Sequence, residues 1–126
     1  MKKNNFKKGR AGEKFAESYL IEKGFVIIDR NFKTRYGEID LIAAKSKVLH
    51  FIEVKLKVGD NFGAPEEMVS KRKILQVVKT AESYLLLNRN YADKFKRFLV
   101  GAVCVVINPD GSKKRINYYN NLTVDL

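Results

Sequence analysis

The sequence predicts an α/β domain with the element order αβββαββ. Three observations lead there. Apolar residues recur at helical spacing in two stretches that end at Gly24 and near Asn88. Between and after those stretches lie β-branched and aromatic runs bounded by turn residues. One run, residues 48–56, is apolar on both parities, as suits a central strand covered on both faces.

Taken in order, Phe15, Ala16, Tyr19 and Leu20 mark a first helix over residues 8–23, with residues 1–8 as a flexible basic tail. Residues 25–28 form a first strand. Arg35, Tyr36 and Gly37 punctuate the chain before a second strand at 38–44, and residues 48–56 form the third. A Gly-containing loop, 58–64, leads to Pro65, with Glu66 and Glu67 in the first turn of a second helix, where negative charge is favourable. Met68, Leu75, Val78, Tyr84 and Leu85 mark its core stripe, and Asn88 and Asn90 end it. Residues 98–107 read as a buried strand, 108–111 as a turn and 115–119 as the last strand.

A chain of 126 residues is the size of one domain. Its 25 Lys and Arg against 14 Asp and Glu leave a net charge of +11. A field of that sign draws polyanions, and neutralising phosphates releases counterions, so nucleic acid is the leading partner class. No run approaches the ~20 apolar residues that span a bilayer, so no membrane partner is expected. Gly9, Arg10 and Gly12 stand where a secretory signal would have its apolar core, which points to a soluble, cytoplasmic protein. The one cysteine, Cys104, sits in an apolar run and reads as a buried, inert thiol, with no thiolate metal cage.

The informative charges interrupt the strands. Glu53 and Lys55 break an otherwise apolar run and share a face, while Asp40 stands between Ile39 and Leu41. A carboxylate inside a sheet costs several kcal/mol unless it is paired or holds a metal. With Lys45 and Ser46 as a two-residue hairpin loop, Ala44 pairs with Lys47, Asp40 with Phe51 and Glu38 with Glu53. Asp40 and Glu53 then become diagonal neighbours, roughly 7 to 8 Å apart, a spacing at which two carboxylates hold one hard cation. Glu13 lies at the edge of the first helix's apolar stripe, and Glu17 further round toward solvent. Carboxylates around Mg²⁺ or Mn²⁺ with a lysine form a kit for phosphodiester hydrolysis, in which Lys55 orients water or neutralises phosphate charge. The lone His50 has the opposite parity to Glu53 and reads as a satisfied core or surface residue.

The segment Gly37-Glu38-Ile39-Asp40-Leu41-Ile42 followed by Phe51-Ile52-Glu53-Val54-Lys55 resembles the YraN-like family of small bacterial endonuclease-like proteins. Residues 9–13, Arg30-Asn31, Phe62-Gly63-Ala64-Pro65, Lys73, Tyr84-Leu85 and Arg97-Phe98 fit the same pattern in order. That family is assigned to the PD-(D/E)XK nuclease superfamily and is similar to archaeal Holliday-junction resolvases. The resemblance implies a restriction-endonuclease-like fold, a mixed central sheet flanked by helices. It also implies an acidic metal site of Glu13, Asp40 and Glu53, with Lys55 as catalytic lysine. The implied function is Mg²⁺- or Mn²⁺-dependent hydrolysis of nucleic acid, DNA above all, with branched or repair intermediates as substrates. The alternative is a non-catalytic DNA-binding protein of the same fold in recombination or repair. Lys8, Arg10, Arg35, Lys57 and Lys73 are candidate nucleic-acid contacts, and a homodimer is compatible with this reading. Two positions depart from the pattern: Leu99 stands where the family has Asp, and Leu56-Lys57 where it has a small polar residue and Arg.

Overall fold

The computed structural model describes residues 2–59 and 69–122, and the side chains from Arg10 onward. The elements are α1 (Lys2–Glu22), β1 (Val26–Thr34), β2 (Gly37–Lys45), β3 (Val48–Val58), α2 (Lys71–Leu87), the short α3 (Arg89–Ala92), β4 (Arg97–Ile107) and β5 (Lys113–Tyr119). Apart from α3, this is the expected order. The five strands form one sheet in the order β1-β2-β3-β4-β5. All neighbours are antiparallel except β3 and β4, which run parallel because α2 crosses over between them. No helix among the described residues is long and apolar enough to cross a membrane.

Two cores sandwich the sheet. On one face Leu49, Phe51, Val100 and Ala102 pack against Ile74, Val77, Ala81 and Tyr84 of α2. On the other, Leu41, Ala43, Ile52, Val103 and Val105 pack against Ala16 and Leu20 of α1. β3 contributes to both faces, as its two-sided apolar pattern requires. Each fully buried Ile, Leu or Phe adds about 1.5–3 kcal/mol to these layers. Cys104 is buried in β4.

Several boundaries differ from the sequence expectation for identifiable reasons. Helix α1 starts at Lys2, not Lys8, since Gly9 and Gly12 each cost a helix only about 1 kcal/mol. Gly12 also sits in close packing: a Cβ there would lie 3.3 Å from the Leu56 Cβ, so glycine lets the helix settle closely on β3. Helix α2 starts at Lys71, with Ser70 Oγ capping the Lys73 N–H at 3.1 Å, so its first turn is basic instead of carrying Glu66 and Glu67. Pro65 to Met68 lie outside the described residues. The buried stripe is Ile74, Val77, Thr80, Ala81 and Tyr84, whereas Leu75 is 43% exposed. The stripe is thus rotated by about one residue from the expected one. Asn88 ends the helix as expected, its backbone and side-chain N–H groups both donating to the Tyr84 carbonyl.

The β2–β3 hairpin turns on Ser46 and Lys47, not on Lys45 and Ser46. Both have positive φ, 51° and 67°, as a two-residue turn matched to strand twist demands, and Lys45 pairs with Val48. The whole register moves with the turn: Ala44 pairs with Leu49 and Ile42 with Phe51, so the expected Asp40–Phe51 and Glu38–Glu53 pairs do not form.

Candidate active site

The shifted register improves the geometry it was expected to provide. The ladder ends at Leu41–Ile52, one step short of Asp40 and Glu53, and the two carboxyl groups come within reach of each other there. The ladder gives way there, and Asp40 Oδ2 instead accepts the Val54 N–H at 2.8 Å. Strand β2 also turns over at this point. Ile39 and Ile42 both pack in the core beneath α2, whereas Leu41 packs in the α1 core; a regular strand would keep Ile39 with Leu41. The neighbouring strand accommodates this at Asn31, which stands opposite Asp40 between the Arg30–Leu41 and Phe32–Ile39 pairs and takes φ 52°. Asp40 therefore sits at a built irregularity, where its side chain completes the backbone hydrogen bonding of β3.

Glu53 is 7% exposed. Its Oε1 lies 3.6 Å from Lys55 Nζ and 3.8 Å from Lys73 Nζ, while its Oε2 is buried without a hydrogen-bond partner. Lys55 follows from β3 parity. Lys73 comes from the first turn of α2, in phase with Val77 and Tyr84 on the buried stripe. Lys73, a candidate nucleic-acid contact on sequence grounds, faces the Glu53 carboxylate in the structure. Correct phasing of the α2 stripe would have found it.

The electrostatics are those of crowded carboxylates. Burial and then the Glu53 charge push the Asp40 carboxyl up to about 7, with the Val54 N–H pulling the other way. Burial also raises Glu53, against the downward pull of Lys73 and Lys55. Glu13 is raised by burial and then by Glu38, with Arg10 opposing and Glu53 adding to the rise. Glu13 is thus within electrostatic reach of the pair. Among the described residues, however, no three His, Cys, Asp or Glu side chains converge into a metal-holding group. The built feature is the Asp40–Glu53 pair.

Glu13 borders a cleft of about 260 Å³ shared with Arg10, Lys14, Glu17, Arg30 and Leu41. Glu17, expected toward solvent, is half-buried and takes both oxygens to the Arg30 guanidinium, with Nε at 3.1 and 3.0 Å. Among the remaining basic candidates, Lys57 is exposed two positions beyond Lys55 on β3. Arg35 lies at the β1–β2 turn, where its guanidinium stacks 5.0 Å from the Tyr36 ring. The Lys8 side chain lies outside the described residues.

Leu99 is remote from this constellation. In the parallel β3–β4 register it pairs with His50, whereas Glu53 pairs with Ala102. His50 is buried, and its Nδ1 makes a 2.7 Å hydrogen bond with the Tyr118 hydroxyl.

Comparison with known proteins places this arrangement in a family. Residues 12–103 match the uncharacterised protein family UPF0102, a span that contains Glu13, Asp40, Glu53, Lys55 and Lys73. A UPF0102 protein of Dictyoglomus turgidum is 36% identical over 118 residues, covering 94% of this chain and 98% of the relative. One of Caldanaerobacter subterraneus is 39% identical over 123 residues, covering 96% and 98%. One of Syntrophomonas wolfei is 40% identical over 113 residues, covering 90% and 94%. With a five-stranded mixed sheet between helices and near full-length relatives of this kind, the chain belongs to the UPF0102 family, as its YraN-like motifs led one to expect.

Proposed function

We propose that this protein is a metal-dependent nuclease hydrolysing phosphodiester bonds, with DNA as its substrate. The observation that carries the reading is the buried, unpartnered Glu53 Oε2 opposite Asp40, with two lysines on the other Glu53 oxygen. An orphaned buried carboxylate oxygen next to a second carboxylate whose charge is disfavoured fits a hard divalent cation. Mg²⁺ commonly takes one or two carboxylates and fills its remaining positions with water and substrate phosphate, a demand that two neighbouring carboxylates can meet.

Asp40 and Glu53 would hold the ion, with Glu13 adding negative charge from α1. A cation held there supplies Lewis acidity toward a phosphodiester and lowers the pKa of water. Lys55 and Lys73, each about a third exposed, present ammonium groups to the same space and would neutralise charge developing on the phosphate oxygens. The Val54 N–H fixes the Asp40 carboxylate, limiting the reorganisation needed on substrate binding. The net charge of +11 favours encounter with a polyanion.

The test is cleavage of labelled linear, flap and four-way-junction DNA in Mg²⁺, Mn²⁺ or EDTA. Asp40→Asn, Glu53→Gln and Lys55→Ala proteins that remain folded are run in parallel. Metal-dependent cutting reduced about 100-fold or more in each variant is expected. Cutting that survives all three substitutions overturns the assignment, and salt-sensitive binding without cutting would favour the DNA-binding alternative.

A further inference from the structure

On the α1 face of the sheet, a separate cavity of about 560 Å³ opens at the end where the β2–β3 hairpin turns. That volume lies within the range of small-molecule sites. Its floor is aromatic: the Phe25 ring meets His50 edge-on at 4.9 Å and Tyr118 at 5.7 Å. Its rim is cationic, drawing Lys23 from the end of α1, Lys45 from the end of β2 and Arg97 from the start of β4. The Lys45 ammonium is tied to the Lys23 carbonyl at 2.6 Å and stands 5.2 Å from the Phe25 ring centre, while Lys23 lies 5.6 Å from that of Tyr19. No carboxylate lines the cavity among the described residues. Leu99 is one of its walls.

We propose that this cavity binds a phosphorylated nucleoside, with the base over the aromatic floor and the phosphate at the Lys23, Lys45 and Arg97 rim. An aromatic wall built of edge-on rings and a cationic edge are the complementary halves of that ligand. Three cations from three separate elements, with no carboxylate in the cavity lining among the described residues, are poorly explained as internal pairing. The ligand is either a free mononucleotide or an unstacked nucleotide within a strand. The site is distinct from the carboxylate pair, because His50 and Glu53 have opposite parity on β3 and project from opposite faces of the sheet.

His50 is the chain's only histidine, so its ring proton resonances report on this cavity without ambiguity. The intact protein is titrated with adenosine 5′-monophosphate, with 5′-phosphorylated single-stranded oligothymidine, and with adenosine and inorganic phosphate as partial ligands. At least one of the two complete ligands is expected to shift the His50 signals saturably, at least tenfold more tightly than either partial ligand. Response to the mononucleotide alone identifies the free-ligand source; a stronger response to the strand identifies the second. Arg97→Ala and Leu99→Asp are expected to weaken binding about 10-fold, the second by placing a carboxylate in the wall. Unmoved His50 signals with both complete ligands, or unchanged affinity in both Arg97→Ala and Leu99→Asp, overturn the assignment whatever the outcome of the cleavage test.

Discussion

Replacing Glu53 with Gln tests the carboxylate pair through stability alone. In the wild type a charged group 7% exposed carries an oxygen without a hydrogen-bond partner opposite a second carboxylate. An unsatisfied buried acceptor costs about 1–3 kcal/mol, and more when charged. Against this stand two contacts to lysines about a third exposed, at 3.6 and 3.8 Å, each contributing under about 1 kcal/mol after solvent screening. The uncharged amide has no charge to desolvate and can donate an N–H to the Asp40 carboxylate, which reduces the first cost while losing part of the second, for a net gain of about 1 kcal/mol in EDTA. A 126-residue chain has an unfolding entropy of about 0.26 kcal/mol/K, so the midpoint should rise by about 4 °C. If the pair holds the proposed cation, divalent metal is expected to reverse the ranking. At a concentration 100 times Kd, an ion bound only by the folded wild type adds about 2.7 kcal/mol, or about 10 °C, and the variant should gain little of it. Thermal unfolding followed by circular dichroism in EDTA and in graded Mg²⁺ or Mn²⁺ measures both effects. A Glu53→Gln protein that is less stable than wild type in EDTA, or that keeps the whole cation-induced shift, would refute the argument.

Two further expectations concern the frame around the sites. Burial, and secondarily Lys45, push the His50 imidazole down to about 4 from an ordinary value near 6.5. A proton therefore favours the unfolded chain: the neutral ring's contribution is present above pH 6.5 and is lost as pH falls toward 4, by up to about 3 kcal/mol. The difference in urea stability between wild type and His50→Gln should shrink across that window. Asp40, raised to about 7, acts in the opposite sense, losing stabilisation as pH rises through 7, and cancels in the comparison; a difference constant with pH would count against the His50 assignment. Gly101→Ala should destabilise by about 2 kcal/mol or more. Its new Cβ would lie 2.6 Å from Tyr118 Cε1 and 2.8 Å from the Tyr119 carbonyl oxygen, and a paired backbone carbonyl cannot move aside cheaply; an unchanged denaturation midpoint would show that β5 yields.

Much of the fold was legible because it rests on periodicity, which is local. The two-sided apolar pattern of residues 48–56 announced the central strand, Asn88 announced the end of α2, and Glu53 and Lys55 stood out as charges inside an apolar run. Short-range rules did not settle register or phase. Lys45-Ser46 and Ser46-Lys47 are equally plausible two-residue turns by residue type, and packing of both sheet faces selects the second, moving every cross-strand partner of β2. The reversal of β2 at Asp40 leaves no mark in the sequence, because it depends on Asn31 in the adjacent strand and on the core beneath α2.

By itself, then, the sequence determined the order of elements, the basic character of the chain and the acidic and lysine residues that its strands carry. Only the tertiary structure decided that the Asp40 and Glu53 carboxyls meet where the β2–β3 ladder ends, that Lys73 joins them from α2, and that Leu99 belongs to a different cavity. Each of those juxtapositions joins residues on different elements, and they meet only where burial of two apolar faces fixes how helix, hairpin and crossover strand lie against one another.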